Sequence, residues 1–514
     1  MSVEGPNIIY ILGDDHRVEQ QGGKGDPILQ TPNLDALARD GVQFTHAFCT
    51  SPACTPSRTS HYTGQWERRH GINFNSGSSL DPVVWEQSFP MQLKNEGYFL
   101  GWVGKNHVPV GGGQRGYDSG YFESVFDYWY GNHGHSGFYP KELAERGGEI
   151  YHNARCDTQV EVFEEGVLNF LDPQQAFIES CARPLPRRPE GQPFCLCLTF
   201  NLPHAYGAGN MQLRPSDDEL YITRYRDRFD EVPLPSTYIP FPNIVEPRLP
   251  LDVYDGVYLP SYDYVRSPAA LRERRIREYQ TISGIDRMLG HLRETLETLG
   301  LADDTIIVFS TDHGIHHGEH GLGGKCFLYE EDIRIPLIIY DPRGRYKEIT
   351  RTRDELVVVP DLAPTILDLC GLDIPDAMQG WSLRSLLDGE TPEWRHEIFT
   401  EQLMDIQNYP RSESVRSREW KYIRYFARRE DPRQAGQKFR GTLDDYNQCL
   451  SSTLNGEEPV YEELFSLRDD PGETVNRVDE SGCADILNAL RVRVIELATE
   501  ARGDDSPPKT IPFA

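Results

Sequence analysis

One cysteine of this chain stands where a nucleophile would be placed. In SPACTPSRTSHYTGQ, residues 51–65, Cys54 directly precedes a Thr-Pro-Ser-Arg string that reads as the first turn of a helix. A thiol at a helix N-terminus near Arg58 is expected to have a lowered pKa, the usual route to a reactive cysteine. Carboxylates form a second group: Asp14 and Asp15 are adjacent, and Asp312 precedes His313. Brought together, three carboxylates push one another's pKa values up unless a cation neutralises them. An all-oxygen set suits Ca²⁺, or less well Mg²⁺, rather than zinc, with His313 adding a nitrogen or orienting a carboxylate. A single Asp more often caps a helix or turn; three at strand ends point instead to a metal. Cationic candidates complete the set: Lys105 and His107 in GWVGKNHVP, Lys325 after the glycine-rich HGEHGLGG, and His204 after Pro203. Taken singly these read as a solvated lysine or a packed histidine. Together with Arg58 and the N–H groups of the helix after Pro56 they make a pocket for a compact tetrahedral oxyanion.

These residues need a frame, and the apolar runs supply one. NIIYIL runs into Gly13-Asp14-Asp15, PFCLCLTF into Asn201-Leu202-Pro203-His204, TIIVFS into Thr311-Asp312-His313 and IPLIIY into Asp341-Pro342. Helical patterns such as residues 271–300 lie between them, which predicts an α/β fold with a large, mostly parallel sheet sandwiched by helices. Ligands of such sheets bind beyond the carboxyl ends of the strands, where the Asp and His residues fall. Residues 111–190 and 205–265 read as long irregular insertions over that edge. After residue 390 the pattern changes to alternating strands (ESVRSREWKYIRYF, PVYEELFSLRDDPGE) and one helix (ADILNALRVRVIELATEA). The expected division is a catalytic domain over 1–390 and a smaller α+β subdomain with an antiparallel sheet over 391–514.

Composition narrows the partners. A net charge of −28 in 514 residues disfavours nucleic acid, while leaving room for a small anion in a locally basic pocket. No apolar run is long enough to span a bilayer. The 10 cysteines show neither CxxC pairs nor small-domain spacing, so reduced thiols are expected. The first strand begins six residues after Met1, which leaves no room for a signal peptide and predicts a cytoplasmic protein as the sequence is written. A leader removed beforehand would make it periplasmic or secreted.

CTPSR followed by TG and HG resembles the signature of type I sulfatases, the formylglycine-dependent branch of the alkaline-phosphatase superfamily. NIIYILGDDHR, TPNLDALARDGVQFTHAF, VGKNH, LPHA, STDHG, GGK, VVVPDLAPTILDLCGL and ELFSLRDDPGETVN resemble that family's landmarks in the family's order. The resemblance implies an alkaline-phosphatase-like fold and a sulfuric ester hydrolase. It also implies that a maturation enzyme oxidises Cys54 to Cα-formylglycine, whose hydrate is the nucleophile. By the same carry-over Asp14, Asp15, Asp312, His313 and position 54 bind Ca²⁺, Lys105 and Lys325 grip the sulfate oxygens, and Arg58, with the metal and the helix N-terminus, holds one diol oxygen as an alkoxide. His204 protonates the leaving alcohol, and His107 takes a proton from the second hydroxyl of the diol.

The substrate is less constrained than the reaction. FDYWYGNHGHSGFYP, residues 126–140, offers aromatics that would stack on a sugar or on a choline cation, or that would simply plug the core. Long insertions and several histidines favour a sulfated saccharide, with choline or aryl sulfates as alternatives. A phosphodiesterase or phosphonate monoester hydrolase shares the motif, although Lys105 and His107 do not resemble that branch. A silent glycan-binding protein has no use for His107 behind the nucleophile, and a thiol hydrolase leaves the carboxylate cluster unexplained.

Overall fold

The computed structural model describes residues 5–21, 25–73, 76–113, 119–142, 148–172, 174, 178, 185–239, 264–343, 351–403, 411–427, 443–504 and 506–513. Seven long strands build its main sheet: β1 (Asn7–Asp14), β2 (Val42–Phe48), β3 (Phe99–Asn106), β4 (Tyr128–His133), β5 (Phe194–Pro203), β6 (Thr305–Thr311) and β7 (Arg334–Tyr340). Their spatial order is β2-β7-β6-β1-β5-β3-β4, with short segments around Thr352–Arg353 and Val357–Val358 added beside β2. Every residue of β1 and β5 is buried, as continuous apolar runs demand when helices cover both faces of a sheet. One cover is α4 (Pro268–Thr298), which follows α1 (Pro32–Asp40), α2 (Cys54–Thr63) and α3 (Gln159–Leu171) along the chain. Ser267 caps α4 by accepting from the Ala270 N–H at 3.1 Å, and Pro268 occupies its first turn.

Register rather than proximity in sequence aligns the chemistry. Parallel pairing sets Gly13 opposite Thr311 and Asp14 opposite Pro203, so Asp14, His204 and Asp312 emerge in one row at the carboxyl edge. The pairing of β3 with β5 sets Gly104 opposite Thr199, bringing Lys105 to the same row. Gly104 has φ 96°, and a Cβ there would lie 2.1 Å from the Thr199 carbonyl oxygen, so only glycine permits this approach. One strand departs from the expectation. β7 runs antiparallel to both β6 and β2, so Asp341 lies at the opposite edge, where it pairs with Arg343 at 2.5 Å and takes no part in the site. Because β7 reverses direction, β2 is parallel to the rest and delivers the Cys54 loop to the carboxyl edge.

The described residues of the supposed insertion 111–190 include regular elements of the main sheet and its cover. They contain β4, which pairs in register with β3, and α3, which packs on β3 and β5. Of the second stretch, residues 240–263 lie outside the described residues, and 205–239 form short helical turns against α4.

Beyond residue 390, four antiparallel strands follow: β8 (Glu397–Gln402), β9 (Ser412–Ser417), β10 (Trp420–Tyr425) and β11 (Tyr461–Ser466). One face buries Phe399, Val415, Tyr422 and Leu464 against the last long helix (Ala484–Arg502), while Ile398, Ile423 and Phe465 on the other face join the main core. Arg68 rivets the junction. Its fully buried guanidinium meets Glu401 at 2.7 Å and Glu413 at 2.6 Å. No described helix is long and apolar enough to cross a membrane. Arg68→Ala strands the buried Glu401 carboxylate and leaves Glu413 to Arg424 alone, and the expected cost is ~3–5 kcal/mol of unfolding free energy in urea titration, against a few tenths for a surface arginine such as Arg418.

Candidate active site

Cys54 opens α2 at the carboxyl edge and is wholly buried. The helix begins at Cys54 itself, one residue before the Thr-Pro-Ser-Arg string. Ser57 N already donates to Ala53 O at 3.0 Å, so the N–H groups of Cys54 and Thr55, not those beyond Pro56, lie at the helix mouth. Around the thiol stand Lys325, whose Nζ approaches Sγ at 3.1 Å, and Asp14, whose Oδ1 is 3.5 Å away. Burial, reinforced by Asp14, outweighs the pull of Lys105 and Lys325 and pushes the thiol up to about 12. That reverses the expectation of an activated thiolate. A helix terminus and one arginine do not offset desolvation with carboxylates this close.

The six charged groups of the pocket interlock. Arg58 donates from Nε to Asp312 Oδ2 at 2.8 Å and from Nη2 to the carbonyls of Gly13 (3.0 Å) and Phe200 (3.2 Å), with Asp14 Oδ2 at 3.3 Å. Lys105 Nζ is hydrogen-bonded to Asp14 Oδ2, and Lys325 Nζ lies 2.9 Å from Asp15 Oδ1. Three carboxylates therefore face three cations. Burial raises the Asp14 carboxyl, but Lys105, with Arg58 and Lys325, holds it well below the usual range. Burial prevails only at Asp15, whose pKa is raised and whose Oδ2 has no hydrogen-bond partner. Asp15 sits at φ 63°, a left-handed conformation uncommon for a non-glycine residue and frequent at functional sites.

The donor set fits a divalent cation. Asp14, Cys54, Asp312 and His313 offer atoms that lie within 4.8 Å of one another, as do Asp14, Asp15 and His204. His313 Nδ1 is 3.3 Å from Asp15 Oδ1, and its Nε2 is 3.6 Å from Asp312 Oδ1. The unpartnered Asp15 oxygen is the clearest sign of a missing positive partner.

Histidines line the outer side. His204 follows β5, and its Nδ1 accepts from Tyr206 N at 2.9 Å, which leaves the ring proton on Nε2, 3.8 Å from Asp15 Oδ2. Burial and the nearby lysines hold His204 and His107 neutral, well below the ordinary histidine pKa. His135 joins them unforeseen. Its ring lies 4.9 Å from that of His107 and 4.6 Å from that of His204, and its Nδ1 faces Asn201 Oδ1 at 2.9 Å and Lys105 Nζ at 3.4 Å. The 126–140 stretch was the available signal, although its aromatics serve otherwise. Trp129 stacks on Trp102, and Tyr128 and Tyr130 of the same strand are fully buried, so these rings plug the core rather than face a substrate.

Buried carboxylates, ammonium groups and histidines converging at the carboxyl edge of an α/β sheet define an enzyme site for a small anion. The chain belongs to the sulfatase family: the Sulfatase family model matches residues 6–372, and a second model, N-sulphoglucosamine sulphohydrolase, C-terminal, matches 318–433. It is a sulfatase enzyme of the alkaline-phosphatase superfamily. An N-acetylglucosamine-6-O-sulfatase of Bacteroides thetaiotaomicron is 26% identical over 482 residues, covering 82% of this chain and 78% of the relative. An arylsulfatase of Clostridium perfringens is 25% identical over 497 residues, covering 89% and 96%. Among solved structures, a protein in complex with its substrate D-glucosamine-2-N,6-O-disulfate has a TM-score of 0.69 at 22% identity, covering 98% of this chain and 100% of that one. The phosphonate monoester hydrolase of Agrobacterium radiobacter scores 0.68 at 20% identity, covering 96% of each, so the fold alone does not separate the two ester classes.

Where position 54 is still a thiol, iodoacetamide at pH 8 is expected to leave it unmodified in the folded chain while labelling the exposed Cys156. Peptide mass spectrometry reads both, and rapid labelling of Cys54 would restore the thiolate reading.

Proposed function

We propose that this sulfatase hydrolyses the sulfate monoester of a carbohydrate, using a formylglycine formed from Cys54 by a maturation enzyme and a Ca²⁺ ion. The observation that carries the reading is the environment of position 54. The side chain sits at a helix mouth between Lys325 and Asp14, in a pocket where burial holds its thiol protonated. A hydrated aldehyde supplies there the hard oxygen nucleophile that a thiol at about 12 does not. Asp14, Asp15, Asp312 and His313 would hold the calcium, which supplies positive charge to the oxygen at position 54.

Charge balance supports the metal. At rest Lys105 and Lys325 neutralise Asp14 and Asp15; when a sulfate arrives, those ammonium groups turn to its oxygens and the carboxylates need another cation. Arg58 stays fixed to Asp312 and orients the row. His204, protonated once the anionic ester lies beside it, presents its Nε2 proton to the leaving oxygen, and the neutral His107 removes a proton at position 54. The sulfated saccharide as substrate follows from the named activities of the relatives, N-acetylglucosamine 6-O-sulfate hydrolysis among them.

Two experiments test this reading. Free sulfate released from a panel of sulfated sugars, aryl sulfates, choline sulfate and phosphonate monoesters is expected to be greatest with a sugar sulfate, and Cys54→Ala is expected to abolish turnover. Greater turnover of phosphonates would reassign the ester class, and full activity with an unmodified thiol would reject the nucleophile.

His204 and His107 separate by leaving group. A sugar alkoxide needs a proton as it departs, whereas a nitrophenolate does not. His204→Ala is expected to lose ~10²–10⁴-fold on a sugar sulfate and far less on nitrophenyl sulfate, while His107→Ala slows both alike. Equal losses for His204→Ala, with chemistry rate-limiting, would make His204 a sulfate-binding residue.

A further inference from the structure

A second group of ligand-type side chains lies in the hairpin that leads to Lys325 and in the helical turn after it. His316 and His320 each offer one ring nitrogen and Glu331 one carboxylate oxygen, and the three atoms lie within 4.8 Å of one another. Tetrahedral coordination at ~2.0–2.1 Å places ligand atoms about 3.4 Å apart, so small side-chain rotations close the set. His320 Nε2 and Glu331 Oε1 are already 3.7 Å apart.

Satisfied polar groups surround this cluster, but its own atoms are left over. Arg17 holds Glu319 at 2.6 Å, and His317 holds Glu278 at 3.0 Å. In contrast, His316 Nε2, His320 Nε2 and Glu331 Oε2 are buried with no hydrogen-bond partner, His316 being wholly inaccessible. Three orphaned polar atoms converging on one point are costly unless something occupies it. The outer contact agrees. His316 Nδ1 meets Asp332 Oδ1 at 2.7 Å, the carboxylate–imidazole arrangement that fixes a ligating ring and leaves Nε2 for the ion. His320 is held at φ 57°, a strained conformation for a non-glycine residue, with its ring stacked on Tyr329 at 4.7 Å.

We propose that His316, His320 and Glu331 form a second metal site, separate from the carboxylate cluster beside Cys54, which takes a divalent cation of the zinc class. Two imidazoles and one carboxylate with a fourth position open to water match zinc's ligand preferences and not those of calcium. The ion braces the loop that carries Lys325. His316–His317 pairs with Gly323–Gly324 immediately before Lys325, and Glu331 lies in the following helical turn, so the ion closes residues 316–331 into one clasp.

The test uses the full chain saturated with Ca²⁺ and titrated with Co²⁺ alone. One equivalent is expected to produce the visible bands of a four- or five-coordinate ion without thiolate-to-cobalt charge transfer, and Zn²⁺ is expected to displace it and raise Tm. His320→Ala and Glu331→Gln should each weaken Co²⁺ binding by roughly 100-fold or more, and Asp332→Asn by ~10–100-fold through the lost orienting carboxylate. Should His320→Ala fail to fold, Glu331→Gln and Asp332→Asn, both near-isosteric, decide the matter. Binding that follows Asp312→Asn instead, or that these variants leave unchanged, overturns the proposal and leaves His316 as an imidazolium held by its acidic neighbours.

Discussion

Charges can be buried only as a compensated set, and this molecule is organised around one. Asp14, Asp15 and Asp312 are wholly inaccessible to solvent, and so, within a few per cent, are Arg58, Lys105 and Lys325. Removing any one of them leaves a partner uncompensated in a medium where desolvation is severe. Arg58 is the hub, because its planar fork spans Asp312, Asp14 and two strand carbonyls at once, a geometry that a lysine cannot reproduce. Two of the three cations are lysines on flexible stems, each paired with a carboxylate of the row.

The sheet exists in the form that holds this set together. Parallel register brings Asp14, Pro203 and Thr311 level, and the glycine at 104 lets β3 close on β5 so that Lys105 reaches Asp14. The reversal of β7 costs the edge one strand end and in return orients β2 so that Cys54 arrives from the correct side. Behind the edge, the aromatic packing of Trp102, Phe122, Phe126 and Trp129 stiffens the two strands that carry Lys105 and lead to His135.

The C-terminal sheet contributes by bracing. Lys421 in β10 meets Glu330 at 3.0 Å and Glu473 at 2.6 Å, and Tyr329 OH donates to Glu463 at 2.7 Å. These contacts seize the chain just after Lys325, so the position of a pocket ammonium depends on a sheet that is otherwise remote from it. Arg68 with Glu401 and Glu413 fixes the same sheet to the short helix Glu67–His70 that follows α2.

The sequence by itself determined the fold class, because continuous apolar strands alternating with amphipathic helices have few other solutions, and it offered most of the charged groups that the fold brings together. Asp14, Asp15, His204, Asp312 and His313 were legible because each directly follows or ends an apolar run, and Cys54, Arg58, Lys105 and Lys325 because short motifs surround them. Strand direction was not legible: IPLIIY reads like its neighbours, and only pairing reveals that β7 is reversed and Asp341 irrelevant. The aromatic stretch read as a sugar platform as readily as a plug, since composition does not tell which face of an edge strand is covered. His135 entered the pocket through that strand's register. The protonation of Cys54 was beyond the sequence altogether. Helix terminus and arginine are local features and argue for a thiolate, whereas the desolvation and the carboxylates that overrule them arrive from strands tens to hundreds of residues away, and only the folded chain brings them within range.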